Sequence, residues 1–139
     1  MIQPYIVACT DQHETEAFIF IIMELVPHGD LGAYTTAGKL MPEHDAVVVA
    51  RQMLDALEYL HLNGITHRDI KPENILVAAP FPWIFKLSDF GLAKVVKNDE
   101  TFLKTFCGTL LYLAPEVYPG YPLVKSGKDP NPKRARDAP

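Results

Sequence analysis

Cysteine is scarce in this chain. The two present, Cys9 and Cys107, form no CxxC pair, which argues against a zinc site or a disulfide framework and leaves two ordinary thiols. Long apolar runs are missing too. The most apolar stretch, residues 17–26 (AFIFIIMELV), is far short of the ~20 residues a spanning helix needs and contains Glu24. The opening MIQPYIVACT has no basic residue ahead of its apolar ones, so no secretory leader is expected. No charge of one sign dominates: a net −4 gives no reason to expect nucleic acid or a membrane surface as partner. A cytoplasmic or nuclear location is the default expectation. There are no internal repeats.

What is present suffices for one domain with a core. Hydrophobic residues make up 48% of the chain and charged ones 22%, within the soluble globular range. Residues 17–26 predict a buried strand, which Pro27, Gly29 and Asp30 break. Residues 31–37 suit a short helix. The clearest helix is 43–62, where Ala46, Ala50, Met53, Leu54, Leu57, Leu60 and His61 recur at spacings of three and four and predict one apolar face. Pro42 suits its first position, Glu43 its first turn, and Asn63-Gly64 its end. Two strand-like runs follow, Ile75 to Ala78 and Ile84 to Ser88, and residues 92–116 have the look of a long functional loop. From Pro119 the chain is rich in proline and glycine and carries Lys125, Lys128, Lys133, Arg134 and Arg136, so this tail is expected to be disordered.

The chemistry concentrates in two polar segments. His67-Arg68-Asp69-Ile70-Lys71-Pro72-Glu73-Asn74 lies between a helix and an apolar strand. It puts a carboxylate, an ammonium and an amide on one loop, a set able to orient a hydroxyl, neutralise phosphate charge and hold a metal ion. Asp89-Phe90-Gly91 places a carboxylate at a strand end, followed by a glycine that lets the chain turn, which makes Asp89 a candidate hard-metal ligand.

Together these segments resemble the protein kinases: HRDIKPEN matches the catalytic loop, DFG the magnesium loop, and Ala114-Pro115-Glu116 the close of the activation segment. Asp69 to Asp89 spans 20 positions and Asp89 to Glu116 spans 27, both ordinary for that family. The resemblance covers roughly residues 4–118. It implies an α+β, bilobal kinase-like fold truncated at both ends: a partial kinase domain at 1–118 and the tail at 119–139. PYIV resembles the start of the fourth strand of the N-lobe, and FIFIIMELV the fifth strand running into the hinge.

The resemblance also implies roles. Asp69 would orient the substrate hydroxyl and accept its proton, Lys71 would stabilise the moving phosphoryl group, and Asn74 and Asp89 would hold the Mg2+ ions bridging the phosphates of ATP. Met23 resembles the gatekeeper. The backbone of Glu24 and Val26 would meet adenine, Asp30 the ribose, and Leu76 would lie under the ring. His67 would pack on Phe90 rather than act as acid or base. Lys71 after Asp69, and Gly108-Thr109 ahead of YLAPE, resemble the serine/threonine kinases, with Thr109 bridging Asp69 and Lys71. CGTLLYLAPE is most similar to the calcium/calmodulin-dependent and checkpoint groups. Glu73, helped by Asp30, resembles the acidic site that takes a substrate's upstream basic residue. Thr105 stands at the activating phosphorylation position, with Arg68 to grip the phosphate.

The implied activity is transfer of the γ-phosphoryl group of ATP to a serine or threonine of a protein. However, the chain has no GxGxxG and no VAIK-type lysine; Lys39 follows the hinge and is no substitute. The alternative is a catalytically inactive, kinase-derived binding module or a truncated gene product.

Overall fold

The structure is a computed structural model that describes residues 3–36, 40–95 and 108–115. Cys107, Thr105, Glu116 and the tail from Pro119 lie outside the described residues. In chain order the elements are β1 (Cys9–Glu14), β2 (Ile19–Met23), α1 (Leu31–Thr36), α2 (Glu43–Leu62), β3 (Ile65–Thr66), β4 (Ile75–Pro80), β5 (Trp83–Leu87) and β6 (Lys94–Val95). Antiparallel pairs form between β1 and β2, β3 and β6, and β4 and β5. The architecture is α+β, as the resemblance implies.

The core forms where α2 packs on the β4–β5 pair. Period-2 alternation turns Ile75 and Val77 of β4, and Phe85 and Leu87 of β5, to one buried face. Leu31, Val49, Met53 and Leu60 close over them. The helix occupies the expected span. Pro42 is its cap rather than its first residue, while Glu43 and Asp45 supply negative charge in the first turn. At the other end the Asn63 amide reaches Leu60 O, and Gly64 takes a left-handed φ of 68° that turns the chain out of the helix.

The buried stripe of α2 differs from the expected one. It comprises Val49, Gln52, Met53, Ala56 and Leu60, whereas Ala46, Ala50, Leu54 and His61 are exposed. Apolar residues cover more than one side of this helix, so periodicity alone does not choose a face. The partner strand does, through Gln52: its side-chain Nε2 donates to Trp83 O at 2.8 Å and its Oε1 accepts from the Phe85 amide at 2.8 Å. One carboxamide thereby acts as a strand neighbour for β5, and a residue that looks polar on the sequence is buried with its hydrogen bonds satisfied.

Two further expectations are corrected. The strand predicted at residues 17–26 exists as β2 at 19–23, but it is not buried: every residue of β1 and β2 is exposed. A strand apolar on both faces needs cover on both, and a two-stranded hairpin provides none. PYIV does not begin that hairpin either, since β1 starts at Cys9. Instead Ile6 bridges in parallel to Leu87, with the Val7 amide on Leu87 O at 2.9 Å and the Leu87 amide on Tyr5 O at 2.8 Å. Residues 5–7 thus dock the hairpin's base on β5. Cys9 is a free, exposed thiol. Among the described residues no helix is long and apolar enough to cross a membrane.

Candidate active site

The pairing of β3 with β6 brings together the entry to the 67–74 loop and the chain just after Asp89-Phe90-Gly91. His67 seals this junction and is only 1% exposed. Its ring meets Phe90 edge-on, centroids 4.9 Å apart, and its Nε2 lies 2.9 Å from Ser88 O. The Asp69 amide points at Nδ1, 3.4 Å away, so Nδ1 accepts and Nε2 is the nitrogen that donates. Both ring nitrogens are engaged in holding two loops together, the structural part expected of His67.

Arg68 and Asp89 are the non-glycine residues with positive φ among those described, at 69° and 59°. Left-handed backbone is unfavourable for residues with a Cβ and persists where surrounding bonds enforce it, which is common at working sites. At Arg68 the enforcing bond is Nε to Leu92 O, 2.6 Å. At Asp89 it is the Gly91 amide donating to Oδ1 at 3.2 Å. The twist at Arg68 turns Asp69 inward, where it is 8% exposed.

Asp69 is the hub. Oδ1 accepts from the Thr109 amide at 2.9 Å and the Thr109 hydroxyl at 2.8 Å. Oδ2 faces Lys71 Nζ at 2.8 Å and Asn74 Nδ2 at 3.1 Å, and that Nδ2 also donates to Asp69 O at 2.8 Å. Lys71 Nζ donates to Thr109 Oγ1 at 2.9 Å, so Thr109 bridges the carboxylate and the ammonium. The Lys71 hydrogen bond, joined by Thr109 and Asn74, holds the Asp69 carboxyl down to about 2 against the opposing push of burial. Asp69 in turn raises the Lys71 ammonium above its ordinary value.

A testable consequence concerns acid. A carboxyl depressed on folding contributes stability that is fully present above its unfolded value of 3.8 and is lost as pH falls through about 2. The melting temperature of the wild-type chain should therefore drop relative to Asp69→Asn between those limits, by an amount equivalent to at most ~2 kcal/mol. Thermal melts of both proteins across that window check it, and a pH-independent difference between them would contradict the assignment.

Gly108 enters the sequence reading only as part of the resemblance, and the structure supplies its physical reason. Its φ is 110°, and a Cβ there would lie 2.7 Å from Arg68 O. Only glycine lets this strand of chain come close enough for Thr109 to reach Asp69.

The residues that the resemblance assigns to adenine and ribose are also drawn together, in part. The 24–30 segment runs back along β4: the Val77 amide donates to Gly29 O at 2.8 Å, and Asp30 forms an antiparallel bridge with Leu76. Asp30 Oδ1 accepts from the Ala33 amide at 2.7 Å and starts α1. Met23 ends β2 and is exposed. The Glu24 amide donates to Ala8 O at 3.0 Å, and its carboxylate accepts from Lys86 Nζ at 2.6 Å and the Ala8 amide at 2.7 Å. Those bonds, Lys86 first, hold the Glu24 carboxyl below its usual range. The amide and the carboxylate of Glu24 are thus both committed within the fold.

For a cation the available donors are oxygens. Asp89 is exposed, and the amide nitrogen of Asn74 is committed to Asp69, which leaves an oxygen as that side chain's other polar atom. Among the described residues no three His, Cys, Asp or Glu side chains cluster as a metal cage. One carboxylate with one amide oxygen fits Mg2+, which keeps waters and takes further ligands from phosphate.

Beside the β4–β5 pair of this α+β domain stand an inward carboxylate, bonded to lysine and threonine, and an outward one at a left-handed turn. The chain belongs to the protein kinase family: the model for "Protein kinase domain" matches residues 1–129. It is 49% identical over 114 residues to "Serine/threonine-protein kinase cds1" of Schizosaccharomyces pombe, covering 82% of this chain and 24% of that protein. It is 44% identical to "Serine/threonine-protein kinase RAD53" of Saccharomyces cerevisiae (84% and 14%) and 42% identical to human "Calcium/calmodulin-dependent protein kinase type IV" (84% and 25%). The chain thus spans a quarter or less of these relatives' lengths.

Proposed function

We propose that residues 4–118 form the catalytic-loop and metal-loop half of a serine/threonine kinase centre, which transfers the γ-phosphoryl group of ATP to a protein hydroxyl. The observation that carries this reading is the closed set of bonds among Asp69, Lys71, Asn74 and Thr109. Asp69, kept ionised, orients the incoming hydroxyl and takes its proton as the bond to phosphorus forms. Lys71 offers positive charge beside it. Asn74 and Asp89 would hold Mg2+, which neutralises charge on the phosphates when bound. The carbonyl of Glu24 and the backbone of Val26 would receive adenine, with Met23 beside the pocket, Leu76 below the ring and Asp30 at the ribose. Arg68 and Thr105 form the regulatory pair of this reading, a phosphate on Thr105 being gripped by the guanidinium.

The substrate class follows from Glu73 and Asp30. A Cβ placed on Gly32 would lie 3.0 Å from Asp30 Oδ1 and 3.2 Å from Glu73 Cγ, so the two acidic side chains flank the same glycine. Glu73 is exposed, and paired carboxylates there suit an arginine upstream of the target residue. The test is a chimera in which residues 4–118 replace the matching stretch of the fission-yeast kinase. It should phosphorylate serine and threonine peptides, favour those with upstream arginine, and lose that preference about tenfold with Glu73→Ala. Asp89→Ala should silence it. A chimera blind to upstream arginine would refute the substrate class, and an active Asp89→Ala would refute the metal assignment.

A further inference from the structure

Ser88 lies between β5 and Asp89, and all three of its polar groups are bonded across the site. Its amide donates to Asn74 O at 2.9 Å, its hydroxyl donates to the same carbonyl at 3.0 Å, and its own carbonyl receives His67 Nε2 at 2.9 Å. Two donors from one residue thus converge on one acceptor, filling both lone pairs of the Asn74 carbonyl. The backbone amide alone would pair the strands here. The hydroxyl adds a second restraint from a different direction, since it leaves from the side chain, and so limits rotation of the Asn74 peptide as well as its distance. Asn74 is itself 5% exposed and held from the other side by Asp69. Ser88 is covalently joined to Asp89, whose left-handed backbone has little freedom of its own.

We infer that Ser88 is a positioning residue that fixes the Asn74 side-chain oxygen relative to the Asp89 carboxylate, so that the two act as one divalent-cation site. The inference rests on the reading that Asn74 and Asp89 hold metal. A paired site needs its two oxygens at a set separation, because a small hard cation tolerates little deviation in geometry. Ser88 carries no ligand atom toward the cation. It acts through the carbonyl of one ligand and the peptide of the other.

The test is Mn2+ binding by the fission-yeast chimera, read from the loss of the free-ion EPR signal as metal is titrated. Ser88→Ala keeps the backbone pairing and should weaken Mn2+ binding by about threefold to tenfold, the worth of one hydrogen bond. Ser88→Thr, which keeps the hydroxyl, should restore the unmodified affinity, and this separates positioning from a general loss of fold. Unchanged affinity in Ser88→Ala, with Asp89→Ala abolishing binding, overturns the role of Ser88 and leaves the metal reading intact. Binding that is absent in the unmodified chimera, or unchanged by Asp89→Ala, overturns the metal reading and this inference with it.

Discussion

Asp69→Asn in the fission-yeast chimera is expected to lower kcat by about 10²–10⁴-fold while changing the affinity for ATP less than threefold. The amide occupies the same volume and can still accept from the Thr109 amide and hydroxyl, which approach Oδ1 at 2.9 and 2.8 Å. It cannot take a proton, and it presents a donor where Lys71 Nζ sits at 2.8 Å. The loss therefore falls on the chemical step, not on nucleotide binding, whose proposed contacts lie along residues 23–30 and Leu76. Steady-state kinetics with an ATP titration separate the two effects. Turnover within threefold of the unmodified chimera would remove Asp69 from the reaction.

The second large effect concerns the 139-residue chain by itself, which should transfer no measurable phosphate. Phosphoryl transfer depends on positioning and on charge stabilisation from several sides. Asp69, Lys71, Asn74 and Asp89 form one side. The sequence holds no GxGxxG to cover the phosphates and no VAIK-type lysine to meet them. One missing preorganised donor of this kind costs about 10²–10³-fold, and here several are missing together. Solution behaviour should follow the exposed hairpin. Phe18 and Ile19 are each 67% exposed and Ile21 60%, apolar groups at or on a two-stranded hairpin exposed on both faces. Light scattering after size exclusion should show self-association at micromolar concentration, reduced by Ile19→Lys with Ile21→Lys. A monodisperse monomer that phosphorylates a generic serine/threonine substrate, with its Asp89→Ala variant silent, would refute this expectation and the binding-module reading together.

Much of the site is written in the residues themselves. HRDIKPEN, DFG and APE point to the family because phosphoryl transfer needs a carboxylate, an ammonium and metal-binding oxygens in a set order. The ends of α2 are equally legible, since Asn63-Gly64 favours the left-handed turn found there and Glu43 complements the helix dipole. The strand character of β4 and β5 is legible as well, although ILVAAP and WIFKL are too uniformly apolar to mark which face is buried.

Other features depend on partners distant in sequence. Which stripe of α2 is buried was decided by Gln52 meeting Trp83 and Phe85, 31 and 33 residues away. The exposure of β2 was decided by what covers it, and an apolar run carries no record of its neighbours. Ser88 looks like an ordinary loop residue until Asn74 O is seen against it, and the need for glycine at 108 is plain only with Arg68 O beside it. The sequence by itself determined the inventory of reacting groups, because their chemistry is local to each side chain. Only the tertiary structure decided their mutual distances, their protonation and the residues that hold them, because those depend on contacts between segments that the chain order leaves apart.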